Sequence, residues 1–394
     1  MSDWRVNAYS EKWLRRGFQW VYPKEIVSGR PSIGAPVRLL GHGGAVLGRG
    51  LADKGWIAAR VYRHDDGPLD EAWMERVVGR AADLRDVLVG DDTTAFRLIN
   101  GENDGLPGIR VDRWGHFLVI AADSPAVGPL LSPLCDALER RLSPRGIYLC
   151  YRPDGRDGRD PAGFRPAPGL LRGRDAAGAV RVRERGLCFD VYPAEGPDVG
   201  LYTDMRDLRA WLEPHWGGAR VLNTFAFTGA FSVAAAFGGA TEVVSVDLSQ
   251  KYLDRARDNF RANALDPGQH SFIADDVFKA LDRFRRKGER FERVILDPPA
   301  FSHGSKVWSA KRDYPRLVSA ACAVLEDGGW IIVASNQGEL SPHQFRGFVA
   351  EGLRRGGCSG QLLHSGTQAG DVPASTTFPE GQYLKLAVYR VLRG

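Results

Sequence analysis

A run of three residues, Asp297-Pro298-Pro299, directly follows the apolar segment 294–296 and is the sharpest chemical signal in the sequence. Two consecutive prolines remove two backbone donors and fix φ at about −65°, so the chain leaves the predicted strand extended, with its carbonyl groups open to a ligand. Ligands of open α/β sheets bind beyond the carboxyl ends of the strands, which is where Asp297 lies. The run therefore predicts that Asp297 and Pro298 contact a substrate.

Two earlier strand ends carry residues suited to binding a nucleoside. The apolar segment 221–224 leads into a turn with Gly229 that opens a predicted helix, and such a turn brings backbone N–H groups close to a ligand. The next predicted strand, 243–246, ends at Asp247, roughly 20 residues beyond the turn, where a carboxylate accepts hydrogen bonds from ribose hydroxyls. An Asp after a strand also caps helices, which is the structural alternative for Asp247.

A third strand end carries Asp276 and Val277. A carboxylate at this edge can accept a hydrogen bond from the exocyclic amine of adenine while Val277 or Phe278 covers the ring, with a helix cap again as the alternative. Taken in order, the four signals resemble the motifs of class I S-adenosylmethionine (SAM)-dependent methyltransferases. The resemblance implies that the first three hold the methionine, ribose and adenine parts of SAM and that Asp297 orients the methyl acceptor. Positioning and desolvation supply much of the acceleration of such a transfer.

More of the chain resembles one family of these enzymes. The similar segments are 17–26 (GFQWVYPKEI), 93–112 (TTAFRLINGENDGLPGIRVD), 199–206 (VGLYTDMR) and 379–385 (PEGQYLK). They resemble motifs of bacterial large-subunit ribosomal RNA methyltransferases, which carry an N-terminal PUA domain, a central α+β domain and a C-terminal Rossmann-like domain. The resemblance implies SAM as the cofactor and large-subunit ribosomal RNA, naked or in an assembly intermediate, as the partner.

The motifs and the resemblance together give a set of candidate site residues. The cofactor-binding candidates are Tyr202, Asp204, Arg206, Asn223, Phe225, Thr228, Gly229, Asp247, Asp276 and Val277. For the substrate, we expect Phe301 to stack on a flipped-out base and Lys306 to contact a phosphate. We expect Tyr383 and Lys385 to line the base pocket, although an aromatic residue in a late strand is more often part of the core.

A departure from the family pattern bears on the methylated atom. The resemblance implies that cytosine-C5 members use a Ser-Cys-Ser run whose cysteine adds to C6 of the base. In this sequence the run is Ser335-Asn336-Gln337, closer to the Ser-Asn-Asn run of a sister group that methylates guanine N7. Guanine N7 has a lone pair and needs no covalent activation, so Asn336 would position the base by hydrogen bonds. The resemblance favours guanine N7 or another nitrogen, with 5-methylcytosine as the alternative.

The elements that must position these residues indicate an α/β fold class with three domains. Residues 1–70, where glycines interrupt short apolar runs, predict a PUA-like β-barrel, and 71–185 predict a small central α+β domain. Its last part, 152–185, is rich in Arg and Gly and is interpreted as a solvated linker, with an RNA-contacting arm as the alternative. Residues 186–394 alternate strands and helices and predict a Rossmann-like methyltransferase domain with a doubly wound parallel sheet.

Composition limits the function classes. The chain has 394 residues, 43% of them apolar and 26% charged, and a formal net charge of +5, which permits RNA binding without requiring it. It contains no apolar run of membrane-spanning length, and its N-terminus lacks an apolar signal core, so we expect no membrane partner. Five widely spaced cysteines without a Cys-x-x-Cys pair predict a reduced, cytoplasmic protein without a metal site.

Two hypotheses from other classes stay open at this point. A nicotinamide-dependent oxidoreductase would use the same sheet and Asp247, but the sequence lacks Gly-x-Gly-x-x-Gly after the segment 221–224, and a dehydrogenase needs no Asp-Pro-Pro run. A non-catalytic RNA-binding protein could keep a vestigial methyltransferase fold, but Asp247, Asp276 and Asp297 are all present. The sequence does not decide between a monomer and a homodimer.

Overall fold

The computed structural model describes residues 2–29, 32–151, 167–196, 198–299 and 309–394. The chain divides into two compact units. The first contains Met1–Arg183, Val191–Val199 and Gly370–Gly381, and the second contains Glu184–Asp190, Gly200–Ala369 and Gln382–Gly394. The chain therefore passes from one unit to the other several times, which the sequence pattern does not reveal. The predicted domain boundaries at 70 and 185 stay predictions.

The N-terminal part of the first unit is a sheet of six described strands. They are β1 Ser2–Val6, β2 Trp20–Val21, β3 Ile26–Ser28, β4 Pro36–Leu40, β5 Val46–Ala52 and β6 Ala59–Arg63, paired in the order β2-β6-β5-β4-β1-β3. Alternate residues face a small core that includes Trp4, Leu39 and Val61. Gly50 permits the pairing of β5 with β6, because a Cβ on it would lie 2.1 Å from the carbonyl oxygen of Arg60.

Helix α1, Ala8–Leu14, lies between β1 and β2 and was not expected from the sequence. Asn7 caps it, since its side-chain oxygen accepts a hydrogen bond from the backbone N–H of Ser10 at 2.9 Å. The Asn7 cap is the local signal for this helix, whereas the prediction of strands and turns rests on glycines between residues 34 and 50, well after it.

The rest of the first unit is a two-layer α+β arrangement. Its main elements are α2 Glu71–Leu88, β7 Ala95–Asn100, β8 Ile109–Trp114, β9 Phe117–Ala122, α3 Gly128–Leu142, β10 Gly146–Tyr151 and β11 Gly169–Gly173, with the sheet order β11-β10-β9-β8-β7. Asp70 caps α2 by accepting from the N–H of Trp73 at 2.8 Å. Both helices bury apolar residues such as Met74 and Leu134 against sheet residues such as Leu98. The α+β prediction is confirmed for this part.

The Arg-rich segment is only partly a linker. Its residues 152–166 lie outside the described residues, but the following residues form β11 and then β12, Val180–Glu184, which pairs with β13, Leu187–Val191. The linker interpretation is therefore wrong for these two strands. In β12 the alternating pattern places Val182 and Glu184 inside and two arginines outside, a period of two that the high Arg and Gly content concealed.

The second unit is built on one sheet of seven described strands with helices on both faces. The elements are α4 Arg206–Leu212, β14 Arg220–Thr224, α5 Ala230–Phe237, β15 Glu242–Asp247, α6 Gln250–Ala262, β16 Ser271–Ala274, α7 Val277–Lys287, β17 Phe291–Leu296, α8 Ala310–Cys322, β18 Leu325–Ser335, α9 Pro342–Arg355, β19 Cys358–Gly366 and β20 Lys385–Arg393. The strand order is β16-β15-β14-β17-β18-β20-β19. Apolar clusters cover both faces, which explains the nearly continuous apolar strand sequences.

The topology of this sheet fixes where a ligand binds. The strands from β16 to β18 are parallel, whereas β20 pairs antiparallel with both β18 and β19. Of the two late strands predicted from the sequence, β20 therefore reverses direction and β19 runs parallel to β18. The strand order reverses between β14 and β17, and open α/β sheets bind ligands at the carboxyl ends beside such a switch point. The Rossmann-like fold prediction is confirmed. None of the helices in the described residues is long and apolar enough to cross a membrane.

A buried ion pair holds the first unit together. Arg85 of α2 is 1% exposed and donates to both carboxylate oxygens of Asp104, at 2.9 and 2.7 Å. The same guanidinium donates to the carbonyl oxygens of Arg97 at 2.9 Å and Asp371 at 2.8 Å. Because these acceptors use most of the guanidinium donors, the charge is compensated inside the core.

We predict that Arg85→Met strongly destabilises the first unit, because it leaves the buried Asp104 carboxylate without its partner. The expected loss is about 3–5 kcal/mol in the free energy of unfolding, measured by urea denaturation. The control is Arg141→Met, since the exposed guanidinium of Arg141 contacts only the surface carboxylates Asp83 and Asp86 among the residues described, and we expect a change below about 1 kcal/mol. Equal, small losses in both variants would contradict the prediction.

Candidate active site

The loop after β14 adopts an unusual backbone conformation. Phe225, Phe227 and Gly229 all have positive φ, at 56°, 50° and 77°. Non-glycine residues in this region are uncommon and concentrate at functional sites. Gly229 also has no room for a side chain, because a Cβ there would lie 2.9 Å from the Cβ of Ala256 on α6. The loop is therefore held in one shape against the neighbouring helix.

The carboxylate of Asp247 fixes this loop to the end of β15. Its Oδ2 accepts from the backbone N–H of Phe227 at 2.9 Å, and its Oδ1 accepts from that of Ser249 at 2.9 Å. The cap of α6 is Ser249, whose side chain accepts from the N–H of Tyr252, so the helix-cap interpretation of Asp247 is wrong. A carboxylate has about four acceptor positions, so Asp247 keeps the capacity to accept further hydrogen bonds.

Asp276 caps a helix and also faces the cavity, where its predicted contact with adenine stays a prediction. It caps α7 by accepting from the N–H of Lys279 at 3.1 Å, and it also lines the cavity described below. The adjacent Asp275 differs: its carboxylate is paired with Arg283 at 2.6 Å and does not line the cavity. A capping role and a ligand-facing role are therefore compatible at Asp276, because one oxygen is sufficient for the cap.

The electrostatics of the site centre on Asp297, which follows β17. Burial, and to a smaller extent the negative charge of Asp204, raise the pKa of this carboxyl to about 7, against the opposing positive charge of Arg209. Asp204 accepts from the hydroxyl of Tyr383 at 2.7 Å. Arg209 is committed elsewhere, because it donates to both oxygens of the buried Glu184 at 2.6 and 2.7 Å. Two acids thus face each other with only partial compensation.

The loop after β18 carries Asn336, which is exposed and lines the cavity. A buried amine holds the next residue in place. Lys385 donates to the carbonyl oxygen of Gln337 and to that of Tyr383, the latter at 2.7 Å, and burial lowers its pKa to about 8. Lys385 and Tyr383 therefore support the rim of the cavity, and the residue between them, Leu384, lines it.

One cavity of about 320 Å³ collects most of the candidate residues at the carboxyl ends of β14, β15 and β17. The predicted residues that line it are Tyr202, Asp204, Asn223, Phe225, Asp247, Asp276, Val277, Asp297, Pro298 and Asn336. Arg206, Thr228, Gly229, Tyr383 and Lys385 do not line it. Phe301 and Lys306 lie outside the described residues.

Two of the residues that do not line the cavity still shape it. The hydroxyl of Thr228 donates to the carbonyl oxygen of Gly200, and the backbone carbonyl of Thr228 accepts from the side chain of Asn259 at 2.9 Å. These two hydrogen bonds hold the loop after β14 in place. Gly229 allows the close approach of α6. Arg209, Phe227 and Tyr252 also line the cavity, but they are not among the residues predicted from the sequence. For Phe227 a signal was present, because Phe and Ala alternate over residues 225–227 directly after the predicted strand.

The lining has a clear chemical preference. Its four acids, Asp204, Asp247, Asp276 and Asp297, outnumber its one described cation, Arg209, whose charge is already paired. The cavity volume lies in the range of small-molecule sites, and aromatic rings of Phe225, Tyr252 and others form its apolar walls. The arrangement favours a ligand that combines hydroxyl and amine donors, a flat ring and a positive charge.

Comparison with known proteins identifies such a ligand. Residues 169–362 match the family model for S-adenosylmethionine-dependent methyltransferases, and residues 5–64 match that for a PUA-like domain. The crystal structure of SMU.776, described as a methyltransferase and complexed with SAH, has a TM-score of 0.89 at 25% identity, covering 99% of this chain and 100% of that chain. The PUA-like barrel and the SAM cofactor predicted from the sequence are confirmed, and SAM replaces the dinucleotide of the oxidoreductase alternative.

Curated relatives extend the match to nearly the whole chain. Ribosomal RNA large subunit methyltransferase I of Escherichia coli O139:H28 is 35% identical over 390 residues, covering 97% of each chain. The protein of the same name from Shigella boydii serotype 18 is equally similar, with 35% identity over 390 residues. The chain therefore belongs to the ribosomal RNA large subunit methyltransferase I family of SAM-dependent methyltransferases.

Proposed function

We propose that this enzyme transfers the methyl group of SAM to a base of large-subunit ribosomal RNA, at guanine N7 or another nitrogen. The observation that carries the choice of atom is Asn336, which lines the cavity at the position where the resemblance places a cysteine in cytosine-C5 enzymes. The 35% identical relatives support ribosomal RNA as the substrate. On this proposal the enzyme works in the cytoplasm, where ribosomal RNA is made.

The alternative, 5-methylcytosine formation, needs a thiolate that adds to C6 of the base. All five cysteines lie in the described part of the chain, and none of them lines the cavity. Cys322 is 2% exposed, and burial raises its pKa to about 12, so it is protonated at neutral pH. Cys358 begins β19. These observations favour direct attack by a ring or exocyclic nitrogen.

The residues of the cavity fit SAM, and each has a definite task toward it. When bound, SAM supplies an electrophilic methyl group on a positively charged sulfur. Asp247 would accept from the ribose hydroxyls while it fixes the loop at Phe227. Asp276 would accept from the adenine amine, with Val277 against the ring. Asp204, which accepts a hydrogen bond from Tyr383, would stabilise the positively charged part of SAM.

The remaining groups would hold the base. The Asn336 amide offers two donors and an acceptor to a base edge, and the ionised carboxylate of Asp297 accepts from N–H donors of the base. Attack by guanine N7 would form the new N–C bond from a lone pair while the bond between the methyl carbon and sulfur breaks, leaving its electron pair on sulfur. No proton is released from the base. Attack by an exocyclic amine releases one, which the Asp297 carboxylate can accept because its pKa is about 7. We also propose that Phe301, Lys306 and the PUA-like part contact the RNA.

The chemical product decides the proposal. Purified enzyme, methyl-labelled SAM and unmodified large-subunit ribosomal RNA, offered both naked and as precursor particles, are expected to give an N-methylated base after digestion to nucleosides and mass spectrometry. Asn336→Ala is expected to lower kcat/KM by about 10- to 100-fold, since it removes the hydrogen bonds that position the base. Labelled 5-methylcytosine would overturn the choice of atom, and an unlabelled RNA would overturn the substrate. Sizing the active species decides between monomer and homodimer.

A matched pair of variants tests the cofactor site. Asp276→Asn keeps a good helix cap but loses the acceptor for the adenine amine, so we expect SAM to bind about 10-fold more weakly in a calorimetric titration. Asp275→Asn is the control, because Asp275 pairs with Arg283 and does not line the cavity. The assignment fails if both variants weaken SAM binding equally.

The pH profile tests Asp297. Because its pKa is about 7 and the carboxylate is the active form, kcat/KM is expected to rise with pH through about 7 and then level off. Asp297→Asn is expected to be much less active and to lack this inflection. The folded-state pKa of about 7 lies above the ordinary value of 3.8, so the free energy of unfolding falls as the pH rises from about 4 to about 7 and levels off above that. At pH 8 the variant should therefore unfold no earlier than the wild type. An unchanged profile in the variant would remove Asp297 from the proton-linked step.

A further inference from the structure

A second cavity, of about 480 Å³, lies within the first unit and shares no lining residue with the methyl-transfer cavity. We call it the aromatic pocket. Five aromatic side chains line it: Tyr9, Trp13, Phe18, Trp20 and Tyr22. Tyr9 is 60% exposed and Trp13 38% exposed, although both are large enough to stabilise a core if buried. Clustered exposed aromatic residues of this kind mark binding sites rather than folding elements.

One wall of the aromatic pocket is rigid. The indole N–H of Trp20 donates to Glu102 at 2.8 Å, which fixes the ring plane. The ring of Phe378 lies 4.7 Å from the Trp20 ring and stacks at 6.0 Å on Phe18. A preformed aromatic surface loses little conformational entropy when a flat ligand stacks on it.

A buried polar atom in the aromatic pocket is left without a protein partner. Ser10, on α1, is 2% exposed and lines the pocket, and its hydroxyl oxygen has no hydrogen-bond partner within the described ranges. An unsatisfied buried hydroxyl destabilises the folded state, so native proteins rarely retain one without a reason. A ligand with a polar edge would satisfy it.

The charged residues of the aromatic pocket indicate which kind of polar edge a ligand would need. Glu25 and Glu380 line it, and ionised carboxylates only accept hydrogen bonds. Arg16 also lines it, with its guanidinium carbon 5.4 Å from the centre of the Trp13 ring. A flat ring bearing adjacent N–H donors and linked to an anion matches this set. Guanine presents two adjacent donors, N1–H and N2–H, and its phosphate would face Arg16.

We infer that the aromatic pocket binds one unpaired nucleotide of the RNA substrate, and that guanine is the base it accepts best. The inference rests on the proposed function, because it takes RNA as the substrate. Sequence-specific recognition of RNA commonly uses unstacked bases that stack on aromatic side chains and are read along their hydrogen-bonding edges. The aromatic pocket would thus select the substrate at a distance in sequence from the base that is methylated.

The test uses the full-length protein and short single-stranded RNA probes of five nucleotides, with G, A, C or U in the centre of four uridines. Binding is followed by quenching of tryptophan fluorescence. We expect the guanine probe to bind at least about 10-fold more tightly than the uridine probe, and Trp13→Ala to reduce its affinity by about 10-fold or more. Phe237→Ala is the control, because Phe237 is 57% exposed and does not line the pocket. Equal affinity of all probes, or no loss in Trp13→Ala, overturns the inference.

A second variant separates binding from folding. Ser10→Ala removes the unsatisfied hydroxyl, so we expect a Tm equal to or above that of the wild type together with weaker binding of the guanine probe. A lower Tm with unchanged probe affinity would show a purely structural serine and would contradict the inference.

Methylation assays distinguish this inference from the proposed function. With large-subunit ribosomal RNA, Trp13→Ala is expected to raise KM by about 10-fold while kcat and SAM affinity stay unchanged. If the wild type methylates the RNA and the variant has the same KM, the aromatic pocket is not a substrate site and the proposed function stands. If the wild type leaves every RNA unmethylated but still prefers the guanine probe, the proposed function fails and the aromatic pocket stands as an RNA site.

Discussion

The carboxylate of Asp247 is the interaction on which the methyl-transfer site depends. By accepting from the N–H groups of Phe227 and Ser249, it ties the loop after β14 to the loop after β15. The loop after β14 needs such a tie, because two phenylalanines in it have positive φ, a conformation that costs free energy and persists only when its surroundings enforce it. The same carboxylate therefore shapes the cavity and offers acceptors to a ligand.

The strand ends could be predicted from the sequence because they follow from local rules. A buried strand followed by Asp, Asn or Asp-Pro-Pro places a polar group at the sheet edge, whatever the rest of the fold does. That reasoning found the lining residues Asp247, Asp276, Asp297 and Pro298, whereas others, such as Tyr202 and Asp204, came from the family resemblance. Residues at sheet edges are also the ones whose neighbours are set by the parallel register alone.

Other features depended on partners far away in the sequence. Lys385 was predicted to line the base pocket. Because β20 pairs antiparallel with β18, Lys385 lies opposite Ser335, and its amine donates a hydrogen bond to the carbonyl oxygen of Gln337. Arg209 became part of the site through a buried partner, Glu184, in a strand that was read as linker. Helix α1 was missed because the strand-and-turn pattern of the glycine-rich stretch 34–50 was extended to the residues before it. Such pairings are tertiary and override local composition.

Repulsion between acidic residues of the site lowers the stability of the folded protein. Asp204 and Asp297 repel each other, and the nearest guanidinium, that of Arg209, is directed to Glu184 instead. The folded protein thus keeps an electrostatic conflict that a cationic ligand would relieve. Active sites commonly hold unfavourable contacts of this kind, because the groups are arranged for the ligand rather than for folding.

The return of Gly370–Gly381 to the first unit has a consequence for biosynthesis. The carboxylate of Asp371 accepts a hydrogen bond from the backbone N–H of Arg97 at 2.9 Å, and the backbone carbonyl of Asp371 accepts one from the guanidinium of Arg85. Thr376, Thr377 and Pro379 complete the aromatic pocket. The N-terminal strands leave the ribosome first, and Asp371 follows 274 residues after its partner Arg97. The first unit therefore cannot reach its final structure before residues 370–381 have been synthesised, and a chain that stops before them lacks both a core acceptor and one side of the aromatic pocket.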